Sequence, residues 1–184
     1  MSYTCDVGIL DKMPWLNKER KEHIISTAIT AKKLAKIFSP DIINQAFISG
    51  IYHDCAKGLE RELAKKYESD IFDDYFSTLH APLGAYLARD VFGIEDNAVL
   101  DALKWHCTGR AGMTTLEKIV FLADAIEPLR NYPNVETIRT AAFASLDNGI
   151  RLYTENLIGY LQSAGNRINP YTLQCYEFYR SINE

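Results

Sequence analysis

The sequence predicts a single all-helical domain, on three observations. Apolar residues recur at three- and four-residue spacing along most of the chain, strand-like alternation is absent, and capping residues stand where the periodic stretches begin. With 184 residues, 47% hydrophobic and 24% charged, the chain can bury one ordinary core. We take residues 1–184 as one domain, with a core over about 18–130 and a C-terminal helical part over about 134–184.

Each element follows from local chemistry. Lys18 to Phe38 places Ile24, Ala28, Ala31, Leu34, Ala35 and Phe38 on one stripe and predicts a helix. Ser39-Pro40-Asp41 breaks it, and Asp41 is expected to cap a second helix running to about Ala56. Glu60 to Tyr67 is a short helix, and the acidic "ESDIFDDYFSTL" after it reads as loop and turn. A helix over about Ala81–Phe92 stops at Gly93, and Asp96 caps the next one, to about His106. "CTGRAG" is a loop. Thr114-Thr115-Leu116-Glu117 has the capping-box pattern and opens a helix to Glu127, ended by Pro128. "EPLRNYPN" is a linker, and Val135 to Ala164 is one long helix or two joined ones. Asn169 and Pro170 are an N-cap and first helical position for a terminal helix.

Composition narrows the class of function. Net charge is −4 with no basic run, so there is no broad nucleic-acid footprint, and an anionic ligand needs a local cationic pocket. No apolar run reaches membrane-spanning length, and "MSYTCDVGIL" lacks the basic-then-apolar form of a signal peptide, so we expect a cytoplasmic protein with no membrane partner. Cys5, Cys55, Cys107 and Cys175 are scattered without a CxxC pair, which fits reduced thiols rather than a zinc ribbon. Cys55 lies two positions past His53, about 200° around a helix, and is expected to be a small core residue.

The polar residues that interrupt apolar stretches carry the chemistry. The four histidines, His23, His53, His80 and His106, fall on or at the ends of four different expected helices, each with apolar neighbours. Helical bundles build metal sites from side chains projecting inward in this way. Asp54 follows His53 directly, and Asp124 sits inside the apolar run "KIVFLADAIEP", where a buried carboxylate is costly unless compensated. A metal ion compensates it. Lys57, three residues after Asp54, and Arg20, three before His23, share faces with those residues and suit phosphate. Arg110, in a glycine-bounded loop, is expected at the surface.

The order His23 … His53-Asp54 … Asp124 resembles the HD-domain metal phosphohydrolases. "RKEH", "HDCAKGL", "LHAPLGAYLARDVFGI", "WHCTGRAGMTTLEKIVFLADAIEPLR" and "INPYTL" narrow the resemblance, over about residues 18–173, to the YqeK-type family. Cys107 departs from it, standing where a threonine is expected. The resemblance implies a helical HD-domain bundle with the metal site between helices. It implies a symmetrical bis(5'-nucleosyl)-tetraphosphatase, which splits diadenosine tetraphosphate into two ADP. It further implies one or two divalent or mixed-valence ions, iron first, held by His23, His53, Asp54 and Asp124. Imidazole with carboxylate suits manganese, cobalt or zinc as well. Asp54, His80 and His106 are the expected catalytic residues. His80 and His106 either contact and protonate the substrate, which we favour, or complete a second metal site. Arg130 resembles the family's nucleotide-contacting arginine. Substrate contacts are expected from Arg20, His23, Asp54, Lys57, His80, His106, Asp124 and Arg130, with Arg167 and Thr172 of the C-terminal part lining the nucleoside pocket. The rival readings are an HD-type phosphohydrolase of a mononucleotide or cyclic dinucleotide, and a non-catalytic nucleotide sensor, against which the intact ligand set speaks. A homodimer is compatible with the aromatic content.

Overall fold

The computed structural model describes residues 7–67 and 73–182. Cys5 and the stretch 68–72 lie outside them. The described residues form helices with no strand. The α-helices are α1 (Lys18–Phe38), α2 (Ile43–Tyr52), α3 (Glu60–Lys66), α4 (His80–Asp90), α5 (Asn97–Trp105), α6 (Thr115–Ile126), α7 (Val135–Ala144), α8 (Leu146–Ser163) and α9 (Pro170–Ser181). Short 3-10 helices occupy Val7–Lys12, Pro40–Ile42 and Asp73–Thr78. No helix is long and apolar enough to cross a membrane among the described residues.

Helix α6 is the axis of the bundle. It buries Leu116, Ile119, Val120, Phe121, Leu122, Ala123, Ala125 and Ile126, thus nearly its whole circumference. A helix apolar all round must be enclosed, and α1, α2, α5, α7 and α8 pack around it. Each buried Leu or Ile here contributes about 1.5–3 kcal/mol relative to exposure. Asp124 is the ionisable residue that this apolar helix carries into the interior near its C-terminal end.

Helix starts follow the sequence closely. Asn17 caps α1 by accepting from Arg20 N, Asp96 caps α5 by accepting from the Ala98 and Val99 amides, and Asn169 caps α9 by accepting from Tyr171 N. Thr114 and Glu117 form the reciprocal capping box of α6. Asp41 does not act as a cap: it lies inside the 3-10 turn Pro40–Ile42, and α2 begins without a side-chain cap bond. The region 135–164 is two helices, with Ser145 in extended conformation as C-cap of α7 and N-cap of α8. Glycine makes this hairpin tight, because a Cβ on Gly149 would lie 2.6 Å from Ala142 Cα. Gly50 does the same between α1 and α2, where a Cβ would meet Ala28 Cα at 2.4 Å.

The second helix is shorter than expected. It ends at Tyr52, and residues 53–59 descend through successive i→i+3 turns, with Cys55 N donating to Tyr52 O, Lys57 N to Asp54 O and Leu59 N to Ala56 O. His53 and Asp54 therefore leave a helix end rather than a helix face.

Candidate metal centre

Five segments deliver the polar residues to one buried place: α1 brings His23, the turn after α2 brings His53 and Asp54, α4 opens with His80, α5 ends just before His106, and α6 carries Asp124. All four imidazoles are buried, His53 completely. The Nε2 atoms of His23 and His53 stand 3.2 Å apart, as do those of His80 and His106. Asp54 joins the two pairs. Its Oδ2 is 3.5 Å from His53 Nε2 and 3.8 Å from His23 Nε2, while its Oδ1 is 3.2 Å from His80 Nε2 and 3.7 Å from His106 Nε2. Asp124 Oδ1 closes the first pair, 3.0 Å from His23 Nε2 and 3.7 Å from His53 Nε2.

The other ring nitrogens explain this convergence. His53 Nδ1 lies 2.7 Å from the Gly50 carbonyl and His106 Nδ1 2.7 Å from the Leu103 carbonyl, each three residues back and each at a helix end. A carbonyl only accepts, so in both rings Nδ1 carries the proton. That carbonyl is the one the next backbone amide would take if the helix continued. The same contact therefore ends the helix and turns the Nε2 lone pair inward. His23 Nδ1 donates to Glu127 Oε1 at 3.0 Å, which fixes its tautomer likewise. His23 and His53 thus direct two lone pairs at one another across 3.2 Å, beside two carboxylates. Such an arrangement needs a proton or a cation between them, and the donor set of imidazole nitrogen and carboxylate oxygen fits a divalent transition metal.

Protonation states agree. Burial works against charge on Asp54, but the surrounding His53, His106 and His80 outweigh it and hold the carboxyl well below its usual range. Burial opposes the Asp124 charge as well, and hydrogen bonding from His23 with the Arg130 guanidinium holds it far below. Burial lowers His23, yet Asp124 and Glu127 reverse this and leave its pKa raised. Burial takes His80 down to about 4 against the pull of Asp54, so this ring is neutral at pH 7.

Cations surround the anionic core. Arg20 Nη1 donates to Asp54 Oδ2 at 2.5 Å. Arg130 holds Asp124 twice, through the backbone oxygen at 2.7 Å and through Oδ1. Lys57 Nζ lies 2.9 Å from His80 Nδ1. A cleft of about 340 Å³ opens over this corner, lined in part by Arg20, His23, Glu127 and Arg130.

Most residues singled out in the sequence thus meet: Arg20, His23, His53, Asp54, Lys57, His80, His106, Asp124 and Arg130. Thr172 is buried in the first turn of α9, and Arg167 is exposed on the preceding loop. That turn reaches the centre's neighbourhood through Tyr171, whose ring packs edge-on against Trp105, the residue before His106. Arg110 is not simply a surface residue: it donates to the buried Glu117 at 2.9 Å and belongs to the α6 cap. Cys55 is buried, with Sγ 3.4 Å from the Gly84 carbonyl, and burial raises its thiol pKa above the usual range, as expected of a core residue.

Glu127 joins the centre although no motif in the sequence marks it. It is buried, orients His23, and accepts from Leu129 N through Oε2 at 2.7 Å. Its spacing of three from Asp124 was the available sign. Glu127→Ala should weaken metal affinity by about 10- to 100-fold, the usual cost of losing a carboxylate behind a ligating histidine. Titration with a competing chelator measures it, and an affinity equal to wild type would show that His23 is held without this carboxylate.

Comparison with known proteins places these features. The HD domain family model matches residues 20–129. A protein of Halalkalibacterium halodurans named symmetrical bis(5'-nucleosyl)-tetraphosphatase is 40% identical over 89% of this chain and 90% of its own. One of the same name in Bacillus subtilis is 34% identical over the same shares. The crystal structure of a Clostridium acetobutylicum protein, described as a predicted HD superfamily hydrolase involved in NAD metabolism, superposes with a TM-score of 0.88 at 30% identity, covering 99% of this chain and 100% of that one.

Proposed function

This chain belongs to the HD domain family, in its YqeK-type branch, and we propose on that footing that it hydrolyses diadenosine tetraphosphate symmetrically to two ADP. The observation that carries the reading is the convergence of four imidazoles on Asp54 and Asp124, with Arg20, Lys57 and Arg130 at the edge. His23, His53, Asp54 and Asp124 are the residues that would hold the metal. We read it as iron, with manganese, cobalt or zinc able to use the same donors. When bound, a divalent ion supplies hydroxide near neutral pH, by lowering the pKa of water towards about 7, and polarises a phosphoryl oxygen.

The chain's own residues do the rest. Arg20, Lys57 and Arg130 neutralise the polyphosphate, and Arg20 and Arg130 can each exchange a carboxylate oxygen for a phosphate oxygen. Asp54, between the two imidazole pairs, orients the attacking water. Lys57 as an ammonium can only donate, so the hydrogen-bond network assigns the His80 proton to Nε2. His80 then presents N–H where His106 presents a lone pair. This favours His80 as a hydrogen-bond donor to the departing phosphate oxygen over His80 as a second-metal ligand. Arg167, Thr172 and the α9 turn line the first nucleoside's pocket in this reading. Reduced thiols fit action in the cytoplasm.

Breaking the central anhydride gives ADP twice, whereas breaking either outer one gives ATP and AMP. We expect metal-loaded protein to release ADP alone from diadenosine tetraphosphate, resolved by ion-exchange chromatography early in the reaction. ATP and AMP in equal amounts would overturn the symmetrical cut. Turnover of mononucleotides or cyclic dinucleotides without turnover of this substrate would point to another HD-type phosphohydrolase, and binding without turnover to a sensor.

A further inference from the structure

A symmetrical cut imposes a demand that the metal centre does not meet. The substrate carries two identical nucleosides, and the functional reading above, on which this inference rests, seats one beside α9. The sequence carries no internal repeat, so the second nucleoside needs a surface of its own.

The described residues contain a second cleft, of about 540 Å³, beside α8 and the loop that precedes α7. That volume falls within the roughly 300–1,000 Å³ of small-molecule sites. Its walls include Arg130, Tyr132, Tyr153, Asn156, Leu157 and Tyr160. Arg130 also lines the cleft over His23, so one guanidinium is common to both spaces and reaches Asp124 between them. The walls suit a base. Tyr153 is half-buried, with its ring edge-on to Phe121 at 5.3 Å and tilted against Tyr132 at 6.4 Å, and its hydroxyl has no hydrogen-bond partner among the described residues. Asn156 accepts from Asn134 through Oδ1, which leaves its amide N–H groups for an acceptor on a base edge. Tyr160 is 63% exposed at the rim, an aromatic ring with little protein around it.

The position suits the substrate too. Asp54 spans the centre, with Oδ1 towards His80 and His106 and Oδ2 towards His23 and His53. The α9 turn adjoins the His106 end through Trp105 and Tyr171, and the tyrosine cleft adjoins the His23 end through Arg130. We propose that this cleft binds the second nucleoside of the dinucleoside polyphosphate, its base stacked on Tyr153 or Tyr160 and its phosphates led to the metal centre by Arg130. The two nucleosides then lie at opposite ends of the centre, with the central anhydride between them.

Two substitutions test the cleft without altering the centre. Tyr160→Ala removes an exposed ring. Gly159→Leu fills the space, since a Cβ there meets nothing within 4 Å. The measurement is calorimetric titration of metal-loaded protein with the methylene analogue of diadenosine tetraphosphate, blocked at its central bridge, and separately with ADP. Each variant should weaken the two-nucleoside analogue by about tenfold, the scale of one lost base–aromatic stack, and leave the tighter ADP site within about twofold. An analogue affinity unchanged in both variants, or equal losses for analogue and ADP, would overturn the proposal. Wild-type protein that binds the analogue with this pattern yet releases no ADP from the hydrolysable substrate would overturn the functional reading and leave the second subsite standing.

Discussion

Asp54→Ala is expected to lower kcat/KM for diadenosine tetraphosphate by about 10³-fold or more, the combined loss of a bridging carboxylate and of water orientation. Asp54 contacts all four imidazoles of the two pairs, and it also accepts from Arg20 at 2.5 Å. Removing it leaves a guanidinium and four imidazoles facing each other without the anion that organises them. Metal affinity should fall in parallel. Circular dichroism should change little, because residues 53–59 are turns and α2 already ends at Tyr52. Full turnover with full metal content would remove Asp54 from the centre.

Asp124→Asn should cost nearly as much, about 10²-fold or more in kcat/KM, since the amide withdraws the negative charge that a bound cation and its activated water would need. The amide keeps the shape of the side chain and removes its charge. Arg130 then loses its anion, and His23 loses one of the two carboxylates that raise its pKa, keeping only Glu127 against burial. The substitution also changes how the metal-free fold responds to acid. The Asp124 carboxyl is depressed in the folded state, so it contributes stability above the ordinary carboxylate pKa, and that stability is lost as pH falls through the lower folded value. The Asn variant has no such contribution. Its urea midpoint should therefore lose less than wild type between neutral pH and about pH 3. An active, fully metallated Asn variant with wild-type acid sensitivity would make Asp124 merely structural.

Much of this cluster was legible in the sequence, because each candidate ligand interrupts a periodic apolar stretch. His23 breaks the stripe of α1, and Asp124 stands alone in the apolar run of α6. Helix starts were legible for a similar reason: Asn17, Asp96, Thr114 and Asn169 are local signals with local effects. What could not be read depends on long-range contact. The end of α2 is set by a side chain claiming a backbone carbonyl, which no propensity expresses, so the helix was expected to continue to Ala56. Asp41 looks like a cap, yet the chain turns through a 3-10 segment at that point. Glu127 looks like a charge at a helix terminus until α1 brings His23 to it from 104 residues away. The tyrosine cleft joins residues from the loop before α7 and from α8, and ordinary core aromatics would give the same sequence.

Gly50 and Ala28 carry no chemistry, yet they act as the gauge of the centre. Backbone contact between α1 and α2 at this point leaves no room for a side chain, since a single added methyl would have to occupy space 2.4 Å from Ala28 Cα. Gly50 is also the residue whose carbonyl aims His53, and His23 is five residues before Ala28 on the same helix. The spacing between His23 and His53 is therefore set by the scaffold through a pair of side chains chosen for being absent or nearly so. Tolerance for mutation in such a site is governed by clearances as much as by donors: a methyl group in the wrong place would widen the jaw and leave every imidazole present but out of reach.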